Sequence, residues 1–507
     1  HRKLGHRKTS IRGSLNSGPG SIPRKLPLME RSVSFEHSES DHDHLPEGHS
    51  MAEYLAQKRK VYGLGGFCTY NRVLLCMVGL PARGKSYITS MLQRYLRWTG
   101  FPVKDFNAGK LRREEGMAGC DANFFRTDDE EAAARRESLA SRCMAEAIAW
   151  LESQNDVSVA IFDATNTTKK RRRLIADECK KYVGITPVFV ESICNDPDVL
   201  EANYKLKLGN DDYKNVDPVK ARADFLERVR LYEERYETIT DDEEDGRIRY
   251  IKLFNVGQKV VLHHCDGYAS SNIGFYLSNI HITKRRIWLA RHAQTKDQQR
   301  GILGSHSGKL TRQGKEYCRA LSAYVHKCTL ESEGEGKMVL VLIGTAPVHQ
   351  ATSDALSSAR PDSPGGPRGE LYANAAEAAK SYPVMSTSLL NELDGGDCNG
   401  MSYDQIQSEF PDVWKEREED KLNFRYPGAG GESYVDVINR LQPVIVELER
   451  HHSSILVISH LAVQRCIFAY FTGTPQEELP YIDMDMHTLY ELHPGPFGTR
   501  VVNVPLG

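Results

Sequence analysis

No stretch of this 507-residue sequence approaches the roughly 20 consecutive apolar residues that a membrane helix needs. The basic, Ser-rich start also lacks the apolar core of a signal peptide, and His1 stands where a natural chain would carry Met, so the natural N-terminus is expected further upstream. Charge of one sign is missing too. The 66 Lys and Arg against 68 Asp and Glu leave a formal -2, which argues against a general polyanion binder, and no basic stripe interleaved with aromatics offers itself to single-stranded nucleic acid. The 11 cysteines form no C-x-x-C pair, so there is no zinc signature. Cys76, Cys143 and Cys466 lie inside apolar runs, where a thiol acts as a small hydrophobe. No internal repeat is evident. These absences predict a chain with neither a nucleic acid nor a membrane partner, in the cytosol.

What is present is enough apolar residue, 40%, for two cores plus extensions at this length. Residues 1–65, rich in Ser, Gly, Pro, Arg and His without any period, read as a disordered extension. Arg31 precedes Ser34 by three positions, a spacing basophilic protein kinases accept, so Ser32 and Ser34 belong either to a plain solvated tail or to a regulatory phosphosite. Beyond the tail, RVLLCMV, VSVAIFDA, TPVFVESI and RIRYIKLF alternate with helix-period segments, among them residues 128–152. A second series, RRIWLARH, KMVLVLIGT, SILVISH and HTLYELH, starts near Thr283. Such alternation implies an α/β fold, here two domains of mostly parallel sheet covered by helices, 66–284 and 285–507. SSARPDSPGGPRGE reads as a surface loop.

Gly79-x-x-x-x-Gly84-Lys85-Ser86 follows the first strand and precedes the helix-compatible YITSMLQRYLRW, the context of a phosphate loop. There, backbone N–H groups and the helix N-terminus face phosphate oxygens, Lys85 reaches the β and γ phosphates, and Ser86 ligates Mg²⁺. Asp163 closes VSVAIFDA, where a carboxylate either holds Mg²⁺ or accepts a proton from an attacking hydroxyl; simple capping of the next helix is the alternative. Arg112, Arg113 and Arg126 nearby suit an anionic acceptor. In the second half, WLARHAQT and VLVISHLAVQR each bring a histidine to a strand end. His292 and His460, with Arg291, are the residue types of a phosphatase that attacks phosphorus with an imidazole.

GLPARGKSYI, DFNAGKLRRE, NFFRTDDEEA, AIFDATNTTKKRRR, FVESICNDPDVLEAN and DFLERVRLYEERYE, in that order, resemble the kinase half of the 6-phosphofructo-2-kinase/fructose-2,6-bisphosphatase family. SGKLTRQGKEY, LLNELDGGDCNGMSYDQIQ, FRYPGAGGESY, VISHLAVQRCIFAYF and LPYIDMDMHTLYELHP are similar to its bisphosphatase half, a histidine-phosphatase domain of the phosphoglycerate mutase kind. The resemblance implies MgATP bound by Gly79, Gly84, Lys85, Ser86, Asn203 and Lys207. It places fructose 6-phosphate against Arg112, Arg126, Thr165, Arg171, Lys207, Arg228 and Tyr232, with Asp163 and Cys194 at active-site positions. A buried core thiol is the other reading of Cys194. In the second half it implies Arg291 as phosphate ligand, His292 as nucleophile, Glu392 as proton donor and His460 as second histidine. Gly304, Tyr403, Arg417, Lys421, Arg425, Tyr434 and Arg465 match substrate-contacting positions. It leaves open a homodimer, and protein kinases acting on the tail.

The chain departs from the family pattern. Lys259 and His264 stand where two arginines are usual, which bears on sugar-phosphate affinity. In the second half Ala293 replaces a glycine, so a Cβ is expected where backbone should approach phosphate. Gln298 replaces an asparagine, Leu461 a glutamine, and beyond a retained Thr345, Gln350 stands where a second phosphate-binding arginine belongs. Losing one preorganised donor costs roughly 10²–10³ in rate. The expectation is a working kinase joined to a weak or inactive phosphatase. A fully bifunctional kinase/bisphosphatase, a polynucleotide kinase-phosphatase and a pseudoenzyme scaffold that senses ATP or sugar phosphate are the rival readings.

Overall fold

The computed structural model describes residues 72–117, 124, 130–209, 212–213, 216–304, 307–333, 339–359, 382–495 and 498–507. Ser32, Ser34, Arg126 and most of SSARPDSPGGPRGE lie outside the described residues. Six strands form the first sheet: β1 (Arg72–Val78), β2 (Val103–Asn107), β3 (Ser158–Asp163), β4 (Ile185–Ile193), β5 (Tyr250–Phe254) and β6 (Lys259–His263). Their order is β2-β3-β1-β4-β5-β6, parallel except where β6 pairs antiparallel with β5. β1 and β3 are almost wholly buried, which is why both read as unbroken apolar runs rather than alternating ones.

The second sheet contains β7 (Ile287–Arg291), β8 (Leu340–Ile343), β9 (Val384–Ser386), β10 (Ile455–Ser459), β11 (Thr488–Gly495) and β12 (Gly498–Pro505), ordered β12-β11-β7-β10-β8-β9. The four strands β7, β10, β8 and β9 run parallel, and β11 and β12 close one side antiparallel. All eight strands expected from apolar runs are present. VKDFN, KVVLH, VMS and GTRVVNVP are the four that the runs do not reveal. All four pair at or next to a sheet margin, where one-sided burial permits charged or polar residues.

Two helices matter most for the sites. Lys85–Trp98 starts at the phosphate loop, and Leu461–Thr472 starts immediately after His460. Their far ends meet. Trp98 donates through its indole N–H to the Cys466 carbonyl at 2.8 Å, and Tyr95 stacks on Tyr276, whose hydroxyl lies 2.9 Å from that of Tyr470. One apolar cluster therefore runs from Leu75, Leu92 and Tyr95 through Ile273 and Tyr276 to Leu448, Ile467 and Phe471. At its centre lies Glu449, 1% exposed, 2.5 Å from Arg94 and 2.9 Å from Arg285, and accepting from Tyr470 at 2.7 Å.

Candidate active sites

The first site lies at the carboxyl ends of β1 and β3. Gly79 takes φ 135°, and a Cβ there would fall 2.6 Å from the Ser192 carbonyl oxygen. Gly84, at φ 87°, caps the helix that follows. Gly79→Ala is therefore expected to strain the loop by about 1–3 kcal/mol and to weaken nucleotide binding measured by calorimetry; unchanged affinity would mean the loop tolerates a second shape. Lys85 folds back, donating to the Gly79 and Leu80 carbonyls at 2.8 and 2.7 Å. Burial holds its amine down at about 7, with Asp163 pulling the other way and Lys207 and Arg228 adding to the depression.

Asp163, the last residue of β3, accepts from the Asn107 side-chain amide at 2.6 Å. Burial raises its carboxyl above the ordinary range, while Lys85, Lys207 and the Ser86 hydroxyl act in the opposite direction. Ser86 and Asp163 thus face one another beside two ammonium groups, an oxygen pair suited to a hard divalent ion already carried by phosphates. No cluster of three or more His, Cys, Asp or Glu among the described residues is arranged to hold a metal by itself.

A cavity of about 610 Å³ opens from this loop. It brings together Gly84, Lys85, Ser86, Asp163, Asn203 and Lys207 with Arg112, Thr165, Arg171, Arg228 and Tyr232. Gly79 sits behind the loop, bonded through its N–H to the Thr165 carbonyl at 3.0 Å, and Asn203 fixes the loop by donating to the Ala82 carbonyl at 3.0 Å. Arg112 pairs with Asp212 at 2.6 Å, both buried, and Arg113 and Arg228 approach the same carboxylate at 3.9 and 3.8 Å. Arg171 pairs with Glu137. Asp212 and Asn107 are the residues that motif reading missed. Asp212 has no local signal, because its role appears only when the Arg112–Arg113 pair and Arg228, from two other elements, converge on it.

Cys194 is buried outside this cavity, and burial raises its thiol, the opposite of activation. Lys259 and His264 do not reach the cavity either. Lys259 lies over the Phe254 ring at 5.1 Å, and His264 lines a separate space with Tyr182 and Arg249.

The second site lies where β7 and β10 end side by side, Arg291 in register with Ser459. The rings of His292 and His460 are 4.5 Å apart, and His460 lies 3.6 Å from Glu392. A cavity of about 210 Å³ joins these to Arg291, Gly304, Tyr403, Arg417, Lys421, Tyr434 and Arg465. Arg425 is elsewhere, exposed and paired with Asp436. The His292 Nδ1–H donates to the Ala293 carbonyl at 3.0 Å, which leaves Nε2 unprotonated, and burial holds the ring at about 4, a neutral nucleophile. Burial raises the Glu392 carboxyl despite Arg291 nearby, the direction a proton donor requires.

Two expectations about this cradle need correction. The Ala293 methyl does not enter the cavity; it belongs to the core cluster of Trp288, Tyr317 and Leu321, and its backbone N–H is already taken by the Thr352 hydroxyl at 3.0 Å. Gln350 does not face the site at all, but turns outward to Asp354 at 2.9 Å. The neighbour that turns inward is His349. Gln298 and Leu461 do line the cavity.

A phosphate-loop phosphotransferase half and a histidine-phosphatase half are what these two sheets and sites define. Residues 65–284 match the family model described as 6-phosphofructo-2-kinase, and residues 368–505 match histidine phosphatase superfamily (branch 1). The chain is 38% identical to the mouse 6-phosphofructo-2-kinase/fructose-2,6-bisphosphatase 1, over 90% of this chain and 89% of that protein, and 37% identical to the human one over the same shares. It is 37% identical to a probable 6-phosphofructo-2-kinase of Schizosaccharomyces pombe, over 84% of this chain and 69% of that protein. The chain belongs to the 6-phosphofructo-2-kinase/fructose-2,6-bisphosphatase family, and its amino-terminal half is the 6-phosphofructo-2-kinase domain.

Proposed function

We propose that this chain transfers the γ-phosphoryl group of MgATP to the 2-hydroxyl of fructose 6-phosphate, giving fructose 2,6-bisphosphate, a regulator of glycolysis, while its carboxy-terminal half hydrolyses that product weakly or not at all. The observation that carries the kinase reading is the single cavity in which the phosphate loop, Asp163 and the arginines around Asp212 meet. Asp163 accepts the hydroxyl proton as the sugar oxygen bonds to phosphorus; the bond to the bridging oxygen breaks, and ADP leaves with the electron pair. Lys85, Lys207 and the amides of the helix start hold the charge on the transferring group. Ser86 and Asp163 would hold Mg²⁺, which neutralises phosphate charge when bound. Arg112, Arg171 and Arg228 hold the acceptor's phosphate.

The weak-phosphatase reading is supported by the outward Gln350, which leaves the cradle without a second cation of its own at that point. Division of the chain near residue 284 and a cytosolic setting belong to the same proposal. The nine cysteines described are all free thiols, and among the described residues no helix is long and apolar enough to cross a membrane. So do a homodimer and phosphorylation of the tail.

Purified chain given MgATP and fructose 6-phosphate, and separately fructose 2,6-bisphosphate alone, is expected to form bisphosphate in the first case and release little phosphate in the second. No synthesis would overturn the kinase assignment. Rapid hydrolysis would overturn the second half of the reading.

A further inference from the structure

His349 is the group that the second site leaves unexplained. It is 0% exposed, its ring is 4.5 Å from that of His460 and 6.1 Å from that of His292, and its ring nitrogens meet the Gly344 backbone but no side-chain partner. A fully buried imidazole with so few polar contacts calls for a reason. Gly344 makes the position possible, since a Cβ there would collide with the His349 ring. The ring lies behind the cavity rather than on its wall, in contact with the two histidines that face the phosphoryl group.

We propose that His349 is a positioning residue that takes up a proton behind His460, so that the cradle's affinity for a phosphoryl dianion rises as pH falls. This rests on the weakened-phosphatase reading above. It assigns to a neutral, protonatable ring the place where a permanent cation is missing.

The charges around it favour this behaviour. From β7 come His292 and, beside it, Arg291; from the end of β10 comes His460, with Glu392 beyond it; Asn391 lies next to Gly344 and carries no charge; His487 acts on His292 from the segment before β11. On its own helix, Gln350 and Asp354 bond to each other away from the site. Without an anion, burial and then His292, against a bond to the Gly344 backbone, hold the His349 ring at about 3, so it is neutral near pH 7. A phosphoryl dianion placed at the distance of the His292 ring, 6.1 Å from that of His349, at an effective dielectric constant of about 20, raises its proton affinity by roughly 10³–10⁴-fold. That moves the protonation into the range of about pH 6–7. Anion binding and proton uptake are then linked, and the affinity gains up to about tenfold per unit fall in pH through this range.

The chemistry of the labelling step is otherwise unchanged. His292 Nε2 forms the N–P bond, the bond from phosphorus to the sugar O2 breaks, and that oxygen takes the proton of Glu392.

The test uses the full chain and fructose bisphosphate carrying ³²P at the 2-position, which reports phosphoryl-His292 and is blind to anions in the kinase cavity. Labelling rates are followed from pH 5.5 to 8 for the natural chain and for His349→Gln, with kinase activity of each preparation showing that it is folded. The expected result is a rate that climbs about tenfold or more towards acid in the natural chain and a ratio to His349→Gln that rises in parallel. Identical pH profiles would overturn the proposal, as would a natural chain that takes no label at any pH; neither would touch the weak-phosphatase reading. Fast labelling and turnover at pH 8 in the natural chain would overturn that reading as well. If His349→Gln loses kinase activity, His349→Asn is measured, and the same comparison of profiles decides.

Discussion

Lys85→Met lowers the rate of bisphosphate formation about 10²–10³-fold, measured as initial ADP release with saturating fructose 6-phosphate. The side chain is nearly isosteric, so the loop keeps its shape, and removal of a buried ammonium that bonds only carbonyls in the ligand-free protein leaves denaturant stability unchanged or higher. The pH dependence has a definite sign. With the amine held at about 7 against 10.5 for an ordinary lysine, the ligand-free protein loses the Lys85 charge as pH rises above about 7, and nucleotide must bring the proton back. Affinity for MgATP is therefore expected to weaken from pH 7 to 9, by up to about tenfold per unit, and Lys85→Met is expected to lack the trend. The unfolded chain keeps this proton up to the ordinary lysine value, so the cost of burying the charge, greatest below about pH 7, is relieved as pH rises from about 7 towards 10.5, and the ligand-free fold gains stability over that window. A variant retaining more than a tenth of the natural rate would shift the stabilisation of transferring charge onto Lys207 and the arginines.

The phosphate loop was legible because its signal is local: glycine spacing, a strand before and a helix after. The same holds for Asp163, His292 and His460, each at or just past a strand end. Asp212 was illegible because its partners, the Arg112–Arg113 pair and Arg228, reach it only through the tertiary fold. Gln350 stands where the motif puts an arginine, yet the side chain that turns inward is its neighbour His349, for a geometric reason. They are adjacent on a helix, where one position turns the side chain by roughly 100°, so the motif gave the right turn and the wrong face. Ala293 shows the limit of reasoning from a lost glycine. The added methyl found room in the core, and the backbone N–H beside it is held by the Thr352 hydroxyl. β2 and β6 stayed hidden because edge strands need no apolar run.

Glu449→Ala destabilises the fold by about 3–5 kcal/mol, read as a shift in the urea midpoint of the whole chain. Burial alone would raise this carboxyl, but Arg94 and Arg285 outweigh it and hold it below the ordinary glutamate range. The ion pair therefore stabilises the fold above about pH 4.5 and is lost only as the pH falls through the lower, folded value. Removing the carboxylate leaves two guanidinium groups, from opposite halves, facing each other without water. Glu449→Gln keeps the volume and the Tyr470 contact but not the charge, and is expected to fall between. A loss below about 1 kcal/mol would mean that solvent reaches the arginines. Because the helix from the phosphate loop carries Arg94, the kinase rate of Glu449→Ala is expected to fall at temperatures where the natural chain is still folded.

The joined core has an evolutionary consequence. Tyr95, Trp98 and Tyr276 are roofed by Tyr470 and Phe471, which stand on the helix that begins at His460. Uncovering large side chains of this kind costs about 1.5–3 kcal/mol each, in sum a large share of the roughly 5–15 kcal/mol that holds a typical domain folded. Selection on the kinase alone is then sufficient to preserve the second half. Its framework can outlast its chemistry, with substitutions collecting in the cradle while the roof over the neighbouring half stays constant.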